Sequence, residues 1–100
     1  MIILKIRTTV APEKKNEFDQ AIHYIIDAKL KQKIGVSRRM YQAYDDPLTY
    51  FYIEEWESRE DMASYMGSDA YKALMGAMDF LGKVTEAQII TTSIVENILQ

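Results

Sequence analysis

The chain has 100 residues, of which 48% are hydrophobic and 27% charged, as expected for one globular domain rather than a disordered segment. Its net charge of −3 argues against a nucleic-acid partner, because binding a phosphate backbone usually needs a basic patch. It contains no cysteine, which excludes disulfides and thiolate chemistry, and no apolar run reaches the roughly 18 residues of a membrane span, so we expect a cytoplasmic protein without a membrane partner.

The N-terminal third of the sequence predicts a strand followed by a helix. Residues 2–10 alternate with a period of two and are rich in β-branched side chains, which is typical of a strand. Pro12 suits the first turn of a helix, where its missing N–H has no partner to lose. An apolar stripe at helical spacing then predicts a helix over 13–31, with Gly35 marking its exit.

The middle of the sequence predicts a hairpin. Residues 36–44 and 48–56 are both strand-like, and the second is dense in aromatic and β-branched side chains. The segment Asp45-Asp46-Pro47 between them is a turn signal, since proline cannot donate to a strand ladder.

The C-terminal part predicts two helices and a last strand. Ser58 has the character of an N-cap for a short helix that Gly67 stops, and Ser68 caps a second helix that ends at Gly82. Residues 84–99 are rich in Ile, Thr and Val and predict one long final strand. The order β, α, β, β, α in two pieces, β therefore predicts a single α+β domain over 1–100.

The basic side chains are scattered, and we interpret their densest cluster as a solvated face. The cluster comprises Lys29, Lys31, Lys33, Arg38 and Arg39.

The predicted strands are apolar on both faces, which suggests a partner. In the third strand Tyr50 and Tyr52 lie on one face while Phe51 and Ile53 lie on the other. Two helices can cover only one face of such a sheet, and the other would expose an apolar patch. A symmetric pair of sheets, each burying on the order of 800 Å², would cover it, so we expect a homodimer.

Several motifs follow one another at the spacing of a known family. They are the run Tyr41-Gln42-Ala43-Tyr44-Asp45-Asp46-Pro47, the strand end Glu54-Glu55-Trp56-Glu57-Ser58, the helix positions Ser68, Tyr71 and Leu74, and the segments Gly76-Ala77-Met78 and Leu81-Gly82. In these residues the chain resembles the antibiotic biosynthesis monooxygenase superfamily over nearly its whole length. The resemblance implies a ferredoxin-like β-α-β-β-α-β sandwich forming a dimeric α+β barrel, with a pocket between sheet and helices in each subunit.

The resemblance also implies a choice of chemistries. Some members oxygenate aromatic ketides or quinols with dioxygen and without metal or flavin, and another branch binds and degrades heme. Many relatives carry a histidine near the position of Tyr65, and the heme-degrading branch uses an asparagine where this chain has the segment Ile6-Arg7-Thr8. Both departures argue against heme, and the single histidine, His23, cannot build a zinc site.

The resemblance places the substrate pocket around the strand-end tryptophan. The candidate pocket residues are Trp56, Tyr52, Tyr50, Glu54, Tyr65, Met62, Met75 and Met78. The phenols could hydrogen-bond a quinol oxygen, a buried Glu54 could act as a base, and the flexible methionines suit a flat aromatic guest. Each of them also has a plain alternative, which is packing in the core or, for Glu54, an ion pair.

We therefore expect a cofactor-independent monooxygenase that oxidises a small quinol or anthrone-like aromatic molecule with dioxygen, using no metal. Two alternatives stay open at this point. One is a non-catalytic dimeric module that binds an aromatic metabolite, and the other is a structural dimer without an open pocket.

Overall fold

The computed structural model describes residues 1–30, 37–91 and 94–99, with only the backbone of 27–30. The elements in chain order are β1 (Ile2–Thr9), a 3-10 turn (Pro12–Lys14), α1 (Lys15–Leu30), β2 (Ser37–Gln42), β3 (Thr49–Trp56), α2 (Arg59–Met66), α3 (Asp69–Leu81), β4 (Lys83–Ile90) and β5 (Val95–Asn97). The predicted helix exit at Gly35, the start of the second strand at Val36 and the lysines of the basic cluster lie outside the described residues or side chains.

The strands form one antiparallel sheet in the order β2-β3-β1-β4-β5. In the centre, Ile6 of β1 is paired with Tyr52 of β3 on one side and with Ala87 of β4 on the other. Directly paired residues point to the same face, so one apolar row crosses three strands and is covered by the helices. The predicted α+β, ferredoxin-like fold is thereby confirmed.

The helices attach to this face through the apolar stripes that the sequence predicted. Phe18 and Ile22 of α1 are buried, as are Met62 and Tyr65 of α2. The serine caps are also as predicted, because Ser58 Oγ accepts a hydrogen bond from the N–H of Asp61 and Ser68 Oγ accepts one from the N–H of Tyr71, both at 3.2 Å.

The end of α3 needs a glycine because it comes very close to β1. A Cβ atom at Gly82 would lie 2.8 Å from the backbone oxygen of Thr9 and 2.9 Å from Cγ2 of Thr8. A larger residue would therefore push α3 and β4 away from the strand beside them.

The prediction of one long strand over 84–99 is wrong. The strand ends at Ile90, and the N–H of Thr91 donates to the carbonyl of Ile94 at 2.8 Å, which reverses the chain. β5 then pairs antiparallel with β4, with Val95 opposite Ile90. The sequence signal for this reversal is weak, because neither glycine nor proline occurs between 83 and 99 and most residues of 89–95 are Ile, Val or Thr.

The outer face of the sheet is partly apolar. The half-buried residues there are Ile3, Phe51, Ile53 and Ile90, and they lie beside an ion pair of 3.7 Å between Lys5 and Glu86.

None of the helices within the described ranges is long and apolar enough to cross a membrane.

Candidate functional site

A cavity of about 470 Å³ lies between α1 and the edge of the sheet formed by β2 and β3. The walls from α1 include Phe18 and Asp19, those from β2 include Arg38 and Met40, and β3 contributes Tyr50. This volume is within the range of roughly 300–1,000 Å³ that is usual for small-molecule pockets. The cavity can therefore hold a compact organic ligand.

One wall of the cavity is aromatic. The rings of Phe18 and Tyr50 are 4.7 Å apart between centroids and tilted by 41°, which is a favourable aromatic packing geometry. Phe18 is fully buried and Tyr50 is nearly so, because α1 lays its apolar stripe directly on β3. A flat aromatic ligand would meet these rings along this side of the cavity.

A polar triad lies where Tyr50 meets α1. The hydroxyl of Tyr50 donates to Asp19 Oδ1 at 2.7 Å and accepts from Lys15 Nζ at 3.0 Å, while Lys15 also binds Asp19 Oδ2 at 2.8 Å. These hydrogen bonds, to Asp19 first and to Tyr50 second, raise the pKa of Lys15 to about 12. Burial and then the hydrogen bond to Asp19 raise the pKa of Tyr50.

The same contacts keep Asp19 ionised. Burial by itself would raise the pKa of this carboxyl, but the hydrogen bonds from Lys15 and Tyr50 outweigh it and hold the pKa below 3.8. A carboxylate has about four acceptor positions, so Asp19 can also accept a hydrogen bond from a ligand hydroxyl in the cavity.

We expect the stability contributed by Asp19 to depend on pH in one direction. Because its pKa is lowered in the folded state, the advantage of the wild type over Asp19→Asn is present above pH 3.8 and is lost as the pH falls through the folded pKa below that value. The pair is partly exposed, so the difference at pH 7 should be less than about 1 kcal/mol. Urea unfolding of both proteins between pH 2 and 7 measures it, and a difference that grows on acidification would contradict the assignment.

Deeper in the domain, β3 carries a buried carboxylate. Glu54 has no exposed surface, and its Oε1 accepts a hydrogen bond of 2.8 Å from Trp56 Nε1. Its Oε2 accepts a hydrogen bond from the hydroxyl of Tyr52. Burial, followed by the charge of Glu54, strongly raises the pKa of Tyr52, so this phenol stays protonated as the donor.

Arg38 of β2 supplies the opposite charge. Its Nε lies 3.7 Å from Oε2 of Glu54, and its guanidinium lies 4.5 Å from the ring centroid of Tyr65. The residue is 8% exposed, so its interpretation as part of a solvated face is wrong, whereas its neighbour Arg39 is exposed. Arg38 is buried because β2 places it directly opposite Glu54, on the face that the helices cover.

Tyr65 of α2 joins this cluster to the helices. Its ring packs 5.3 Å from that of Trp56 and 5.7 Å from that of Tyr71. Burial and then the charge of Glu54 raise the pKa of Tyr65 to about 12. At neutral pH its phenol is a hydrogen-bonding group and not a base.

Five of the eight predicted pocket residues occupy two regions. Tyr50 lines the cavity, whereas Tyr52, Glu54, Trp56 and Tyr65 form the buried polar cluster behind it. The three remaining residues, Met62, Met75 and Met78, belong to or pack against the hydrophobic core. Arg38 belongs to both regions, since it lines the cavity and pairs with Glu54. A role of all eight in one substrate pocket stays a prediction.

Among the residues that line the cavity, Tyr50 was predicted as a pocket residue, whereas Phe18, Asp19 and Arg38 were not. Phe18 lies within the apolar stripe that predicts the helix over 13–31, and such a stripe does not show where packing leaves a cavity. Arg38 had a usable signal, because it shares the two-residue period of Met40 and faces Glu54 in the predicted hairpin.

Metal ligands are not grouped in this site. Across residues 1–30, 37–91 and 94–99, no three His, Cys, Asp or Glu side chains lie together as a possible metal-binding set. His23 is exposed at the rim of the cavity.

The fold and site together define a small ferredoxin-like α+β domain with a ligand-sized cavity beside a buried polar cluster. Residues 1–77 match the family model of the antibiotic biosynthesis monooxygenases. The chain therefore belongs to the antibiotic biosynthesis monooxygenase family.

Solved structures agree with this fold. The chain is similar to a variant of SnoaB, a cofactor-independent oxygenase from Streptomyces nogalater, with a TM-score of 0.76 and 16% identity over 93% of each chain. It is also similar to Rv0793 from Mycobacterium tuberculosis, with a TM-score of 0.76 and 15% identity over 93% of this chain and 95% of that one. A conserved protein from Methanosarcina mazei has a TM-score of 0.74 and 24% identity over 89% and 87%.

At these identities the likeness concerns the fold alone. No curated protein matches the sequence significantly.

Proposed function

We propose that this protein is a cofactor-independent monooxygenase that oxidises a small quinol or anthrone-like aromatic substrate with dioxygen. The observation that carries the proposal is the cavity of about 470 Å³ with the packed rings of Phe18 and Tyr50 in its wall, in a chain of this family. The fold likeness to SnoaB, itself described as a cofactor-independent oxygenase, is a further support.

The reaction balances without an added reductant. In an anthrone-like substrate, a ring methylene loses two hydrogens and gains one oxygen atom to become a carbonyl, and the second atom of dioxygen leaves as water with those two hydrogens. The electrons come from the substrate, whose deprotonated form is electron-rich enough to react with dioxygen. The protein then has to bind the flat ring system, hold its anionic form and exclude bulk water.

The described residues suit the first of these tasks, which is binding the substrate. Phe18 and Tyr50 offer an aromatic wall for the ring system, and Met40 offers a flexible thioether beside it. Asp19 is an ionised carboxylate in the cavity wall and can accept a hydrogen bond from a substrate hydroxyl.

Oxygen uptake tests the proposal. A panel of naphthoquinols and anthrones is added to the purified protein in an oxygen electrode, and at least one compound should be consumed well above its uncatalysed rate. The rate should persist after dialysis against a chelator and after removal of free flavin. Uptake at the uncatalysed rate for the whole panel would contradict the proposal.

A non-catalytic binding module is the second candidate, and one observation favours it. Tyr65 stands where many relatives carry a histidine, and because burial raises its pKa to about 12 it stays protonated near neutrality and cannot act as a base there. Calorimetric binding of the same compounds, with no oxygen uptake, would support this function over the first.

We also propose that two copies pair through the outer face of the sheet. The half-buried Ile3, Phe51, Ile53 and Ile90 provide the apolar area, and pairing would remove it from water. Light scattering should give about twice the 11.6 kDa mass of the chain, and a stable monomer at micromolar concentration would contradict the pairing.

A further inference from the structure

Arg38 has more hydrogen-bonding capacity than its surroundings use. A guanidinium carries five N–H donors, and none of the three nitrogens of Arg38 has a hydrogen-bond acceptor among the described residues. Its side chain is only 4% exposed, so bulk water reaches it poorly. A buried donor without an acceptor is unfavourable, and native structures rarely keep several together without a reason.

Glu54 balances the charge of Arg38 but does not satisfy its donors. The distance of 3.7 Å between Arg38 Nε and Glu54 Oε2 is that of an ion pair and is too long for a hydrogen bond. Both carboxylate oxygens instead accept from other donors, Oε2 from Tyr52 and Oε1 from Trp56. The ring of Tyr65 covers the guanidinium at 4.5 Å, but the face of an aromatic ring has no lone pair that accepts an N–H hydrogen bond.

The cavity is the place from which an acceptor could come, because Arg38 is part of its wall. We propose that Arg38 binds an ionised oxygen on one edge of a flat aromatic ligand, and that Asp19 receives a hydroxyl on the opposite edge. The ligand class is therefore an aromatic anion that also carries a hydrogen-bond donor, such as a hydroxylated aromatic phenolate, enolate or carboxylate. This inference rests on the proposed function only for the aromatic character of the ligand.

The strand register gives the backbone spacing between the two ends of the site. Arg38 is paired with Glu54, and Tyr50, which holds Asp19, lies four residues earlier on β3. Four residues of strand span roughly 13 Å, at about 3.3 Å each. Met40 lines the cavity between these positions, so the middle of the site is apolar and its two ends are polar. A ligand with a polar group at each end of a fused ring system follows this arrangement.

The probe that tests the inference is 6-hydroxy-2-naphthoate, which carries a carboxylate and a hydroxyl at opposite ends of two fused rings. Its carboxyl group is ionised at pH 7. 6-Hydroxy-2-naphthamide is the matched neutral compound. Since hydrogen bonds to charged groups contribute about 1.5–3 kcal/mol, calorimetry on the wild type should show the carboxylate binding at least about tenfold tighter than the amide. Equal affinities would overturn the inference.

The double variant Arg38→Met with Glu54→Gln removes both charges together and so avoids leaving one of them buried alone. It should bind the two compounds within about threefold of each other. Arg7→Met, which removes an exposed arginine of β1, should keep the wild-type preference. A double variant that folds and still prefers the carboxylate would contradict the role of Arg38.

A measurement on the wild type keeps the inference testable if the double variant does not fold. The Nε–H resonance of Arg38 in a ¹⁵N-labelled sample should shift further at saturating naphthoate than at saturating naphthamide. An unmoved resonance at saturating naphthoate would overturn the inference. If the naphthoate binds with the expected preference but no quinol is oxidised, the monooxygenase proposal is contradicted and the anion site at Arg38 is supported. The two proposals can therefore fail separately.

Discussion

Glu54→Gln should destabilise the folded protein by about 3–5 kcal/mol, although glutamine has nearly the same shape as glutamate. The substitution removes the charge that balances Arg38, whose guanidinium is buried 3.7 Å away. Removing one member of a buried pair leaves the other charge without compensation in a medium of low polarity. Such a loss is a large part of the roughly 5–15 kcal/mol by which domains of this size are stable.

Urea unfolding at one fixed protein concentration measures this effect, since association would make the apparent stability depend on concentration. Glu57→Gln is the matched control, because this nearby carboxylate just beyond β3 is exposed and should change stability by less than about 0.5 kcal/mol. Adding Arg38→Met to Glu54→Gln should restore part of the lost stability, which gives a positive coupling between the two positions. Additive losses would show that the two charges do not interact.

Most of the fold could be predicted because local patterns and tertiary packing agree along the chain. The strand of 2–10 has alternating side chains, and the structure buries Leu4, Ile6 and Thr8 as that alternation requires. Ser58 and Ser68 begin helices where their hydroxyls accept from the backbone N–H three residues on. Each of these signals is contained within a few neighbouring residues.

The candidate site was harder to predict because it depends on contacts between distant segments. Tyr50 and Asp19 are 31 positions apart, and only the docking of α1 on β3 brings the hydroxyl and the carboxylate to 2.7 Å. Arg38 looks like any other residue of a basic stretch until the hairpin register sets it opposite Glu54. The reversal at Thr91 is hard to predict for a different reason, because neither glycine nor proline marks a turn there in the sequence.

Phe18→Ala should have the other large effect, a loss of about 3–5 kcal/mol of folding stability. Phe18 is fully buried, and its ring packs 4.7 Å from that of Tyr50. A large-to-small substitution is most harmful where the surroundings cannot close the new space. Here the removed ring borders a cavity that already exists, so the two spaces should merge and not collapse.

The matched control for this substitution is Tyr24→Ala, which removes an aromatic ring from the same helix at a position that is 76% exposed. It should change stability by less than about 0.5 kcal/mol in the same urea titration. The merged cavity predicts a second consequence, which is weaker binding of 6-hydroxy-2-naphthoate by Phe18→Ala because the ligand loses its aromatic contact. The preference for the carboxylate over the amide should remain, since Arg38 is untouched. If Phe18→Ala kept its affinity for the naphthoate but lost the preference for the naphthoate over the naphthamide, Phe18 and Arg38 would not contact separate parts of one ligand.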